Sequence, residues 1–276
     1  MKKHTALFTS LMVMLLFTPS LCFSTGNNLS TGARSAGMGR CSVAMHDIWS
    51  ITNNQAGMAL IDQFTAAIAY ESRFRLNELS TKSLGLVAPT KYGVLGISYQ
   101  HQGFDLYSEQ KVGLAYAKSF GQYLRIGLQL DYLQTKLGEG YGQKNNVTFE
   151  LGIQSDITEN LTIGIWTFNP VRVKLADDNN EKIQAIYRFG LGWQLSDEFI
   201  ATVEVEKNTQ FRPITARLGM EYNIHNQFFI RTGTSTRDDI FTLGFGFNST
   251  FFRFDIGACM HELLGFSPQA SLQIQF

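Results

Sequence analysis

The chain has 276 residues, 17% of them charged, with 23 basic and 23 acidic side chains in balance. That length holds one large domain or two small ones, and the even charge excludes a nucleic-acid surface, because no basic block follows a phosphate backbone. After the opening residues no stretch reaches the ~20 continuous apolar residues of a spanning helix, and the apolar side chains are dispersed in alternation.

Residues 1–24 read as a secretory signal peptide. Lys2, Lys3 and His4 form its positive end, Ala6 to Phe17 its apolar stretch, and Pro19 to Ser24 a cleavage zone. Removing it leaves a slight acidic excess and two cysteines, Cys41 and Cys259. Residues 25–62 follow, rich in Gly, Ala and Met from Gly32 to Leu60, with no strand alternation. They read as an N-terminal plug, or hatch, inside whatever residues 63–276 build.

From about Thr65 the chain alternates apolar and polar residues with period two. Leu124, Ile126, Leu128, Leu130 and Tyr132 alternate with Arg125, Gly127, Gln129 and Asp131, and Phe252 to His261 repeats the pattern. About fourteen such segments of roughly ten residues follow, the length a tilted strand needs to cross a bilayer. The spans are 64–74, 81–89, 93–102, 107–120, 123–136, 145–157, 161–170, 181–195, 199–207, 212–224, 228–234, 239–248, 251–261 and 267–276. Every second connection is a tight turn, as at Gly121-Gln122 and Ser249-Thr250. The others are longer, up to about ten residues at Arg172 to Asn180, as external loops of such barrels are. The sequence therefore predicts an all-β, antiparallel transmembrane barrel with both termini in the periplasm of a Gram-negative cell.

Aromatics crowd the tight turns (Phe120, Tyr123, Phe228, Phe247, Phe251), the mark of an interfacial girdle. Mid-strand glycines such as Gly127, Gly152, Gly219 and Gly244 fall on the polar face, where something else must approach closely. A soluble sandwich or lipocalin-like barrel would use shorter strands and has no reason to gather aromatics at one end.

The inward parity carries Arg125, Asp131, Glu150, Arg188, Glu204, Arg217, Glu221, Arg231, Arg253 and Asp255. They read as a structural ion network holding the plug or as a polar substrate path, the arginines facing carboxylates across strands. Cys259 shares that parity and Cys41 lies in the plug, which leaves open a plug-to-wall disulfide or two separate buried thiols. His46, His101, His225 and His261 have no evident nucleophile beside them, so a barrel enzyme is a remote alternative. Gly138 to Gly142 is an external loop and not a phosphate cradle. No spacing suggests a metal or a cofactor, and none is expected.

The opening Gly32-Ala33-Arg34-Ser35-Ala36-Gly37-Met38-Gly39, with Asn54-Gln55-Ala56-Gly57-Met58 behind it, resembles the hatch of the FadL-type outer-membrane proteins. The likeness rests on Gly32, Arg34, Gly37, Gly39, Asn54 and Gly57, and within that superfamily it looks closest to the shorter PorV/PorQ-like branch. The last strand, alternating Ala270, Leu272, Ile274 and Phe276, resembles the terminal signal read by barrel-assembly machinery. Gln55 stands where the family usually has proline, and Arg40 where it often has another glycine. The resemblance implies outer-membrane lipid as surroundings and a hatch-gated conduit for small apolar or amphipathic molecules. The alternative it implies is a non-transporting accessory barrel that works with type IX secretion proteins.

Overall fold

The computed structural model describes residues 29–138, 142–173, 182–210, 213–225, 227–237 and 241–276. The expected signal peptide lies outside them, as do residues 139–141 of the Gly138–Gly142 loop. Fourteen antiparallel strands close into one barrel. They are β1 (Thr65–Ser72), β2 (Ser80–Thr90), β3 (Gly93–Phe104), β4 (Tyr107–Phe120), β5 (Leu124–Leu137), β6 (Gln143–Thr158) and β7 (Leu161–Phe168). The second half is β8 (Ile186–Gln194), β9 (Phe199–Asn208), β10 (Thr215–Ile224), β11 (Phe228–Ser235), β12 (Phe241–Asn248), β13 (Phe252–His261) and β14 (Gly265–Gln275). Each pairs with its chain neighbours, and β1 closes on β14 from Thr65↔Gln275 to Glu71↔Gln269.

Period-two alternation sets the two faces. Leu114 pairs with Leu130 on the outside, where they are 59% and 57% exposed, while the next pair, Gly113 and Asp131, faces inward. Ile68, Ile97, Val147, Ile165 and Leu243 continue the outward apolar belt around the barrel. Such a belt is an aggregation surface in water and a matched one in lipid. Aromatic contacts gather at the tight-turn end, with Phe228 and Phe247 centred 5.2 Å apart and Phe247 and Phe252 5.8 Å apart. Phe276 packs on Phe64 there, and its N–H donates to the Phe64 carbonyl at 2.9 Å, fastening the chain end to the start of β1.

Several strand ends depart from the expected spans. The strand expected over 181–195 begins at Ile186, because the chain before it leaves the ladder and turns inward. Asn169, in the left-handed region at φ 49, donates its amide to the carbonyls of Ile183 and Gln184 at 3.0 and 3.2 Å. Ile183, Gln184 and Ala185 are buried as a result. The connection between β7 and β8 therefore runs from 169 to 185, longer than the ten residues expected. The opposite correction applies between β3 and β4, where Asp105 and Leu106 alone make the outer connection.

Candidate functional site

Residues 29–62 contain two short helical turns, α1 (Ala33–Gly37) and α2 (Ser50–Asn53), and a 3-10 turn, Gln55–Leu60. None is long enough to be stable alone. Their stability comes from the wall, since nearly every residue from Ser30 to Met58 is buried. α1 packs on β12 and β13, and the 3-10 turn on β4 and β5. Wall glycines make this approach possible. A Cβ at Gly127 would stand 2.5 Å from the Ala56 nitrogen, and one at Gly37 would stand 2.8 Å from the Gly244 Cα. At Gly219 and Gly233 the obstruction would be the backbone of Met38 and Gly39.

The hatch-motif residues shape this segment from within. Gly32 at φ 96 lies under the Trp49 ring, and Gly39 at φ 63 packs against the β10 and β11 backbone. Gly57 packs against Ser50. Asn54 caps the 3-10 turn by accepting from the Ala56 N–H at 3.2 Å, while its amide donates to the Val43 carbonyl at 2.7 Å. The two departures from the family pattern each gain a wall contact. Gln55 follows the extended Asn54 at the first position of its turn, where proline is also accommodated. Its amide donates to Glu150 at 2.6 Å. Arg40, in the left-handed region at φ 64, reaches Glu71 of β1 at 2.5 Å.

Side chains make the bonds that hold the segment. Arg34 donates through Nε and Nη2 to both oxygens of Glu221 at 2.9 and 2.6 Å, and reaches Asp47 at 3.3 Å. Glu204 accepts from the N–H groups of Ser42 and Val43 at 2.8 and 3.0 Å. Gln154 donates to the carbonyls of Val43 and Met45, and Thr242 accepts from the Gly39 N–H while donating to the Gly37 carbonyl. Burial alone would lower the pKa of the Arg34 guanidinium, but the carboxylates around it, Glu221 foremost with Asp47 and Asp255, together raise it. Arg34 therefore stays charged.

The inward charges form pairs among themselves. Arg188 donates to Glu206 at 2.7 Å, Arg217 to Glu204 and Glu206 at 3.0 Å each, and Arg231 to Glu221 at 2.5 Å. Asp255 lies 2.8 Å from Arg231 and 3.1 Å from Arg253. Glu150 accepts from Lys111, Gln55 and Trp166, while Asp131 accepts from Gln129 at 2.7 Å. Arg125 stands apart from these groups, in a two-pronged pair with Asp156 at 2.6 Å. Gln154, Thr242 and Asp47 lie outside the set of residues expected from the sequence, whereas Glu71 shares the inward parity of the expected charges. Inward parity signalled the strand residues among them, but the partner of each depends on where the segment lies.

The plug-to-wall disulfide is not formed. Cys41 points at the Thr202 carbonyl, 3.9 Å away, and Cys259 donates to the Ala36 carbonyl at 3.5 Å, so each thiol is buried in its own contact. Burial first, and then the Glu204 carboxylate, pushes the Cys41 thiol up to about 12. The thiolate is the reactive form, so alkylation of the native barrel is expected to leave both cysteines unmodified and to label both after denaturation. Intact mass measured without reductant checks this, and one labelled cysteine before denaturation would contradict the packing.

Two cavities lie on opposite sides of the segment. The one towards the outer connections has a volume of about 110 Å³ and includes Ser30, Thr31, Glu71 and Lys111 in its lining. The one at the tight-turn end measures about 350 Å³ and is lined in part by Arg34, His46, Asp47 and Glu221. His46 is exposed to this space, and desolvation by the surrounding barrel end first, then Arg34, lowers its pKa below the usual imidazole value. The unfolded chain then takes up this proton near pH 6.5 while the folded one does not. Stability is therefore expected to fall as pH drops below about 6.5. Thermal unfolding at about pH 7.5 and 5.5 checks this, with His46→Gln losing part of the acid sensitivity; an unchanged acid shift removes His46 from the account. Among the described residues no group of three or more His, Cys, Asp or Glu side chains converges as a metal ion would require.

Fold and geometry together define a closed fourteen-stranded antiparallel β-barrel with residues 29–62 packed on its inward face. No family model and no curated protein matches the chain. Solved structures share its fold. The CymD monoaromatic hydrocarbon channel is similar at TM-score 0.69 and 13% identity, over 91% of this chain and 98% of its own. The toluene transporter TbuX of Ralstonia pickettii matches at 0.68 and 13%, over 91% and 99%. A Pseudomonas aeruginosa FadL homologue matches at 0.63 and 12%, over 89% and 98%.

Proposed function

We propose that this chain is an outer-membrane barrel, exported by a cleaved signal peptide over 1–24, with a hatch over 25–62 inside a barrel over 63–276. It acts as a conduit for small apolar or amphipathic molecules. The observation that carries the reading is the position of residues 29–62 between two cavities, held by bonds that run through side chains. Strands are fixed by backbone ladders, whereas a segment held in this way can detach without opening the barrel. The names printed for the structural neighbours, monoaromatic hydrocarbon channel and toluene transporter, support the same class of cargo. Phe276 serves as the assembly signal in this reading.

A second reading, a PorV/PorQ-like accessory barrel of type IX secretion that transports nothing, is favoured by the short outer connections at Asp105-Leu106 and 262–264. Deletion and complementation in the native host separate the two. The conduit reading expects slower uptake of a dilute aromatic hydrocarbon such as toluene in the deletion strain, restored by the gene. Unchanged uptake with secreted proteins accumulating in the periplasm would overturn it in favour of the accessory barrel.

A further inference from the structure

The outer cavity carries more chemistry than a hydrocarbon needs. Seven amides line it, and strand parity or the inward turn of 183–185 brings five of them: Gln100, Gln102, Asn146, Gln184 and Gln269. Leu133, Phe168 and Ile183 share the lining with them, Leu133 directly across the strand pair from Asn146. The lining therefore combines apolar and aromatic side chains with hydrogen-bonding amides. Arg73 and Glu109 also line the cavity, and its two other charged groups are already matched. Glu71 is taken by Arg40 at 2.5 Å and Lys111 by Glu150 at 2.8 Å.

Gln269 supplies the specific signal. It sits on β14 opposite Glu71 and beside Gly257, is 6% exposed, and its Oε1 has no hydrogen-bond partner. A buried amide oxygen without a donor is costly, and this one lines a cavity. Two other amides there have their own partners. Gln100 donates to Thr31 at 2.6 Å, and Gln184 accepts from Asn208 at 2.6 Å. The volume, about 110 Å³, is on the scale of the ~150 Å³ apolar cavity known to take up benzene.

We infer that this cavity binds a small neutral ring bearing a hydroxyl donor, a phenol in preference to a plain hydrocarbon. The ring packs on Phe168, Leu133 and Ile183, and the hydroxyl donates to Gln269 Oε1. This deepens the conduit reading and rests on it for its biological meaning, since it names the cargo class. The physical basis of selectivity is that a site built for a hydrogen bond rejects the analogue that lacks it.

The test uses the full mature barrel in lipid nanodiscs, titrated calorimetrically with p-cresol and with toluene, which differ by one hydroxyl, against empty nanodiscs. The expected result is saturable one-to-one binding of p-cresol at least about tenfold tighter than toluene. Gln269→Leu should bring the two within about twofold of each other. Equal affinities in the unaltered protein, or a preference that survives Gln269→Leu, overturn the inference while leaving hydrocarbon uptake, and with it the conduit reading, intact. Binding of neither compound overturns it as well, whatever the uptake experiment gives. If Gln269→Leu fails to form a heat-modifiable barrel, the comparison of the two ligands on the unaltered protein decides alone.

Discussion

Replacing Glu221 with alanine is expected to destabilise the barrel by about 3–5 kcal/mol, the range for removing one partner of a buried ion pair. Glu221 is the common acceptor of Arg34 and Arg231, with Arg253 3.7 Å away, and its side chain is 3% exposed. Its removal leaves three guanidinium groups with Asp47 and Asp255 to share. Glu221→Gln keeps an acceptor but no charge and should fall between alanine and the unaltered protein. The heat-modifiable gel transition, followed against temperature, measures the series. A Glu221→Ala barrel that melts with the unaltered one would mean that this cluster contributes nothing to stability.

A second large effect is expected at a residue with no side chain. A Cβ at Gly219 would meet the Met38 carbonyl, the Met38 Cβ at 2.8 Å and the Thr202 hydroxyl at 2.9 Å. The nearest obstruction is the Met38 backbone and the other two atoms lie at the base of their side chains, so Gly219→Ala should cost about 1–3 kcal/mol through overpacking and push the segment off β10. Cys41 lies next to the displaced Met38 and beside Thr202, so it should become open to alkylation in the native barrel. Gly190 is the control, because the nearest atom a Cβ there would meet is 3.4 Å away, an ordinary contact. If Gly219→Ala keeps Cys41 as protected as Gly190→Ala does, the wall glycines are not what admits the segment.

Much of this was legible in the residues. Alternation at Leu124 to Tyr132 sets both the strand and its faces, so strand number and the inward position of Asp131, Glu150 and Arg231 follow from parity alone. Inward glycines are legible for the same reason, as places where a side chain is missing from a wall that has room for one. Pairing is a different matter. Arg40 and Glu71 meet because Arg40 adopts a left-handed backbone and α1 lies over β12 and β13, a tertiary arrangement with no local signal. The choice between a disulfide and two separate thiols was hidden on the same ground, since parity puts Cys41 and Cys259 in one lumen without saying that one faces β9 and the other α1. The inward turn of 183–185 was hidden because Ile183 and Ala185 alternate like a strand. Asn169 pulls them out of the ladder, and that turn supplies Gln184 and Ile183 to the outer cavity.

The central claim is that residues 29–62 form a hatch whose movement opens the barrel. Thr202→Cys tests it most directly, because Cys41 Sγ already lies 3.9 Å from the Thr202 carbonyl and the exchange conserves side-chain volume. In a Cys259→Ser background, oxidation should join segment to wall, as confirmed by mass spectrometry. Toluene uptake by cells carrying the locked barrel is expected to fall to the level of cells without the gene and to return on reduction. Equal uptake by the oxidised and reduced barrels would contradict the account.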